Sequence, residues 1–373
     1  MTDLAERSSW LRLAGIKGIG ETVRCGLIKE FKTPERIFRA SISDISQVPG
    51  WTAESLEKFR NGLKEGKLLC QPETLEAEGI NIISFNDPEY PESLRHIPDA
   101  PVVLFALGKP EIDARPHLAV VGARKGSQQG YDIAREFSYE LSKAGFVIVS
   151  GLALGIDTFA HKGALEASGK TVAVLGCGVD VVYPPSNHRI REKIPEKGLI
   201  VSEFPPGTEP RPWHFPIRNR IISGMSVGIL VVEASSQSGS LITARLGIDQ
   251  DRDVFAIPGG IRSKLSEGTL ALINEGACMV TSPDEIINHY RHLLPVKNEE
   301  PEKNLSLEDF TPDELELLEM LAGEPTGVED LLSKMTWERE KLFSVLLNLE
   351  IRDILIKYPG NLFQSKINRH TGR

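Results

Sequence analysis

Cysteine is scarce in this chain: Cys25, Cys70, Cys177 and Cys278 stand far apart, with no C-x-x-C pair and no histidine at metal-ligand spacing. A disulfide framework and a zinc site are therefore not expected, and the thiols read as free. Long apolar runs are missing as well. No stretch approaches the ~20 apolar residues of a membrane span. The opening MTDLAERSSW has no charged-then-apolar leader pattern, so a cytoplasmic address without membrane contact is expected. Positive charge is in deficit, with 43 Lys and Arg against 52 Asp and Glu and a net charge of −9. That excludes a surface coated for nucleic acid, so any such site must be local. Neither G-x-x-x-x-G-K-[ST] nor G-x-G-x-x-G occurs, which leaves a P-loop or a standard dinucleotide site unsupported and no cofactor expected.

What is present is enough chain for two or three domains, since 373 residues with 40% hydrophobic content exceed one ordinary core. Residues 1–70 read as short helices punctuated by GIKGIG (Gly15–Gly20) and VPGWT (Val48–Thr52), a small helix-hairpin-helix or SAM-like domain. Gly18 and Gly20 before a helix fit two readings: free N–H groups that hold a phosphate, or a tight turn that binds nothing.

Across residues 75–290, apolar runs alternate with helix-length polar segments. The expected strands are His117–Gly122, Phe146–Ser150, Thr171–Leu175, Gly198–Ser202, Val227–Val232, Asp253–Ile257 and Ala277–Val280. Continuous apolar strands separated by helices indicate an α/β fold, a doubly wound and mostly parallel sheet covered on both faces. PVKNEEPEKN (Pro295–Asn304) is charged and proline-bearing, as a linker over 291–305 would be. From 306 to 365 three helices and a hairpin-like pair about Pro359-Gly360 suggest a winged helix, into which acids from Glu308 to Glu350 are crowded.

In an open parallel sheet, ligands bind at the carboxyl ends of the strands. Those ends here carry VVGARKGSQQG, SGLALGID, LGCGVDVVYP, SEFPPG, VVEASSQSGSLITAR and PGG. Arg124 and Ser127 follow the first of these strands, either as phosphate ligands or as a surface charge beyond a turn closed by Gly122. Asp157 and His161 share a helix face, where capping by Asp157 is preferred to an acid–base pair because no nucleophile motif lies beside them.

The most informative stretch is EPRPWHFPIRNRIISG (Glu209–Gly224), which gathers Arg211, His214, Arg218 and Arg220 with Trp213 and Phe215. Such interleaving suits a single nucleic-acid strand, whose phosphates the guanidinium groups hold and whose bases stack on the rings at ~1–3 kcal/mol each. The alternative for the two rings is a core anchor. In an extended segment Arg218 and Arg220 share a face; in a helix they lie about 200° apart and only one enters the crevice. Ser240, in Ser238–Thr243, is expected to cap a helix whose free N–H groups could face an anion.

From Tyr90 to Asp284 the chain resembles the DprA (Smf) family of DNA processing proteins. The matches run in order: GARxxS at Gly122–Ser127, SGLAxGID at Ser150–Asp157 with His161, LGxGxDxxYPxxN at Leu175–Asn187, SEFPPG at Ser202–Gly207, FPxRNRIISG at Phe215–Gly224, VVEAxxxSGSLITAR at Val231–Arg245 and VFAIPGG at Val254–Gly260. The resemblance implies a Rossmann-like domain between a helical and a winged-helix-like one. It also implies a homodimer that binds and protects single-stranded DNA and helps load the RecA recombinase during natural transformation and homologous recombination. No catalytic residue is implied. The implied strand-binding residues are Arg124, Ser127, Ser150, Gly151, Phe215, Arg218, Asn219, Arg220 and Ser240.

Two departures stand out: Asp251 and Asp353 occupy positions where the family commonly has glycine. With its acidity, the second argues against a duplex-reading winged helix and for a protein-interaction or autoregulatory role of residues 306–365. A competing class is the lysine decarboxylase-like group, which cleaves nucleoside monophosphates. PGGIRSKLSEGT is loosely similar to its PGGxGTxxE, but Arg262 and Glu267 fall out of register. A structural scaffold is the third class, disfavoured by the cationic-aromatic stretch.

Overall fold

The computed structural model describes residues 4–108, 115–294, 310–322, 325–352, 354–358 and 362–365. The linker residues 295–304, Asp353 and Pro359-Gly360 lie outside them. The chain divides into two compact units, Met1–Pro295 and Val296–Arg373.

The first unit opens with helices Leu4–Gly15, Glu21–Phe31, Pro34–Arg39, Ile42–Ile45, Ala53–Glu65 and Pro72–Ala77. Side chains of Thr33, Ser41 and Thr52 cap three of them, supplying acceptors to N–H groups that have no partner within the helix. Gly18, at φ 82°, takes the left-handed turn between the first two. The helix that follows starts with Glu21, whose carboxylate pairs with Arg24. An acid at that position disfavours a phosphate there. Trp10, Leu27 and Phe59 belong to one hydrophobic cluster with Val103, Phe105 and Val201 of the sheet, so the helices and the sheet share a core.

Nine strands form that sheet: β1 (Asn81–Ser84), β2 (Val103–Gly108), β3 (His117–Val121), β4 (Val147–Ser150), β5 (Thr171–Val174), β6 (Leu199–Ser202), β7 (Gly228–Val231), β8 (Asp253–Ala256) and β9 (Cys278–Met279). Their order is β1-β2-β6-β5-β4-β3-β7-β8-β9. All pairs from β6 to β9 are parallel, while β2 runs antiparallel to β6 and β1 to β2. The seven strands expected from apolar runs are β3–β9; the antiparallel pair β1 and β2 was not among them.

Both faces are covered, and the period of two is visible in β3. Leu118 and Val120 pack with Phe137, Leu141 and Ala160 on one face, Ala119 and Val121 with Ile221 and Ile222 on the other. From β3 the chain first winds outward through β4, β5 and β6, then returns to place β7 on the other side of β3. A crevice therefore opens at the carboxyl ends of β3 and β7, the switch point of a Rossmann-like sheet.

In the second unit, helices Pro312–Met320, Val328–Lys334 and Arg339–Ile351 stand with β10 (Thr326–Gly327), β11 (Leu355–Tyr358) and β12 (Leu362–Ser365) in an antiparallel sheet ordered β10-β12-β11. Leu317, Leu331, Leu342 and Leu349 are fully buried in its core. Among the described residues no helix is long and apolar enough to cross a membrane.

Candidate nucleic-acid interface

A cleft of about 620 Å³ occupies the switch point. The turn after β3 supplies Gly122 to Lys125, the loop after β5 supplies Tyr183, the helix His214–Met225 and the residues before it supply Pro212, Phe215, Arg218 and Asn219, and the segment after β7 supplies Ser235, Ser240 and Thr243.

Arg124 is exposed and sets its guanidinium 5.1 Å from the centre of the Phe215 ring. Phe215 stacks on Tyr183 at 5.6 Å with the planes 28° apart. Nearby in sequence, Trp213 is 58% exposed and holds the Arg211 guanidinium over its ring at 5.5 Å. The core-anchor alternative for Trp213 thus gives way to a surface ring. Cations resting on aromatic faces are held without being neutralised, so both arginines keep charge to offer an anion. His214, by contrast, is buried between Phe204, at 4.2 Å, and the Gly176 carbonyl, at 3.1 Å from Nδ1.

Because His214–Met225 is a helix, Arg218 and Arg220 point apart. Arg218 reaches the cleft floor, 3% exposed, and donates to the carbonyls of Gly151 (2.9 Å) and Val174. Burial pushes its pKa down to about 10, against the pull of Asp157. A side chain on Gly151 would collide with this guanidinium, so the glycine is needed for the close approach. Arg220 turns away from the cleft to Asp99, at 3.3 Å, and Glu203.

The serines are also committed. Ser127 caps the helix Gln128–Ala144, accepting from the Gly130 N–H at 2.9 Å and donating to Glu233 at 2.6 Å. Ser150 is wholly buried, with its hydroxyl on the Val120 carbonyl at 2.7 Å. The cap position expected for Ser240 belongs to Ser238, which accepts from the Ser240 N–H at 3.4 Å. Asn219 donates to the Gly239 carbonyl at 3.4 Å. Of the nine residues, Arg124, Phe215, Arg218, Asn219 and Ser240 line the cleft. Gly151 lines a smaller adjoining cavity of about 50 Å³, and Ser127, Ser150 and Arg220 line neither.

Asp157 does not cap its helix: Gly155 holds that position, and Asp157, in the first turn, accepts from the Gly151 N–H at 3.1 Å. His161 bonds Thr171 at 2.7 Å rather than Asp157. Burial, helped by the Arg218 charge, pushes His161 down to about 3, so it is neutral near pH 7. Lys125 and Tyr183 line the cleft and were not singled out from the sequence. GARKGS already placed a second cation beside Arg124, and VVYPP an aromatic at a strand exit.

The family described as DNA recombination-mediator protein A matches residues 81–291. The chain belongs to this family. Protein Smf of Synechocystis sp. is 31% identical over 401 residues, covering 97% of this chain and 99% of its own. DNA processing protein DprA of Streptococcus pneumoniae is 47% identical over 207 residues, 56% of this chain and 73% of its own. The X-ray structure of the latter species' DprA superposes with a TM-score of 0.65 at 37% identity, covering 75% of this chain and 95% of that one. Helicobacter pylori DNA processing protein A, described by its unique single-stranded DNA binding mode, superposes at 0.53 with 28% identity, 58% and 98% coverage. The matched DprA region spans the whole sheet and every residue named in the cleft.

Proposed function

We propose that the cleft binds single-stranded DNA and that the chain, as a cytoplasmic homodimer, protects such strands and helps load RecA on them without doing chemistry of its own. One observation carries the strand-binding part. Arg124, Phe215 and Tyr183 form a continuous cation-on-ring and ring-on-ring row at the switch point, beside Arg211 over an exposed Trp213. Alternating positive groups and open π faces are what a phosphate backbone with unstacked bases requires. The single-strand binding of the H. pylori relative supports the same reading. RecA loading and dimerisation rest on the family relationship. Residues 1–70, 75–290 and 306–365 are read as helical, Rossmann-like and winged-helix-like domains, the last serving protein contact or autoregulation.

Hydrolysis of nucleoside monophosphates is disfavoured by the glycine turn itself. Glu267 accepts from the Ser236 hydroxyl at 3.0 Å, and Arg262 is exposed. Fluorescence anisotropy of a labelled single strand at several salt concentrations tests the proposal. Removing a cation that neutralises one phosphate should shrink the log–log salt slope by ~0.7. Arg124→Ala is expected to show one such decrement while staying folded. No detectable strand binding by the folded wild type would overturn the reading.

A further inference from the structure

The first helix after β3, Gln128–Ala144, starts where a doubly wound fold commonly seats a nucleotide phosphate on free N–H groups. Here that place is taken from within the chain. Glu233, two residues past β7, accepts from the Ser127 N–H through Oε2 at 2.8 Å and from the Ser127 hydroxyl through Oε1 at 2.6 Å. The seat is shaped for it. A Cβ on Gly126 would lie 2.8 Å from Oε2, and one on Gly130 would collide with the carboxylate outright. The backbone of Glu233 grips the other end of the same turn, its carbonyl accepting from the Ala123 N–H at 2.7 Å. Between these two anchors stand Arg124 and Lys125, both exposed.

We propose that Glu233 is a specificity and positioning residue: a built-in carboxylate that fills the phosphate seat of the β3 turn and thereby excludes free phosphate groups, while holding Arg124 and Lys125 outward for an extended polyanion. A carboxylate bound by two donors at a helix start is favoured by charge-assisted hydrogen bonds and by the helix dipole. An incoming phosphate would have to displace it and would meet its negative charge. The turn's binding capacity is thus moved from the N–H groups to the two side chains at its tip. The second half of the proposal rests on the single-strand reading of the cleft; the first half does not.

The two halves are measured separately on the full chain. With selective ¹⁵N-glycine and ¹⁵N-serine labelling, inorganic phosphate is titrated into wild type, Glu233→Ala and Glu233→Gln. The Ser127 and Gly130 amide signals should stay in place in the wild type and move in Glu233→Ala. In Glu233→Gln, where the side chain still fills the seat, they should not move on phosphate addition. Single-strand anisotropy on the same proteins should show about tenfold weaker binding for Glu233→Ala, the equivalent of one charge-assisted hydrogen bond, with part of the loss recovered in Glu233→Gln.

Movement of both amides in the wild type, or none in a folded Glu233→Ala, would overturn the plug. If Glu233→Ala does not fold, the wild-type and Glu233→Gln titrations decide, since phosphate shifting these amides in either contradicts a filled seat. Unchanged strand affinity in Glu233→Ala would overturn the positioning role. Absence of strand binding in the wild type would instead count against the cleft's proposed function, leaving the phosphate result standing.

Discussion

At the scale of single residues, charge and burial divide the cations into different kinds. Arg124 is exposed on a ring, whereas Arg218 is enclosed and spends its donors on Gly151 and Val174. Arg218→Ala would remove the donor that meets the buried Gly151 and Val174 carbonyls, a destabilisation of about 1–3 kcal/mol for a buried acceptor left unsatisfied. Urea denaturation should show it; an unchanged midpoint with weakened strand binding would instead make Arg218 a direct ligand.

His161 gives a pH prediction. Its folded pKa, about 3, lies below the ordinary value of 6.5, so the unfolded chain binds the proton more tightly. The stability this contributes is complete above about pH 6.5 and is lost as pH falls towards 3. At pH 5 the loss is about 2 kcal/mol, from ~1.36 kcal/mol per unit. His161→Gln should flatten the stability curve between pH 7 and 5. Equal slopes for both proteins would mean that other groups govern that window.

At the scale of elements, turns and helix ends decide what the side chains can do. The helix Gly239–Asp249 runs into Asp251 at φ 59°, a left-handed conformation that glycine adopts without a Cβ penalty. Asp251 thus holds a backbone conformation in which glycine would carry no steric penalty. Asp251→Gly is therefore expected to be tolerated and to stabilise by about 0.5 kcal/mol, the αL relief less the entropy glycine adds to the unfolded chain. A lowered thermal midpoint would show that the Asp251 side chain is needed. The helix Arg339–Ile351 of the second unit presents Phe343, 45% exposed, and Leu347, 56% exposed, four residues apart. That places two apolar groups on one face, more in keeping with a protein contact than with a phosphate backbone.

At the scale of the whole molecule, a net charge of −9 is compatible with the proposed strand binding because Arg124, Lys125 and Arg218 are gathered at one crevice. The unit Met1–Pro295 holds the entire nine-stranded sheet, its covering helices and the cleft. Expressed alone, it should keep the strand affinity of the full chain to within about threefold, under about 1 kcal/mol. A larger drop in anisotropy titrations would assign part of the binding to residues 306–365.

The sequence by itself determined the parallel strands, because β3–β7 are apolar and buried on both faces and their exits carry glycine, serine and proline. It determined the family too, through an ordered series of motifs that the match over residues 81–291 bears out. β1 and β2 escaped because a four-residue strand and an antiparallel neighbour, separated by one short helix Glu92–Arg95, carry no repeating strand–helix rhythm. The residue types of the cleft were legible, but their assignments were not. Only the tertiary structure decided that Arg218 faces inward and Arg220 outward, that Ser127 and Ser150 are spent on the chain's own groups, and that Glu233 sits on a helix start 106 residues away. Motifs record which groups are available. Which of them remain open to a ligand depends on partners brought in from distant strands, and that is fixed only when the sheet has closed its order.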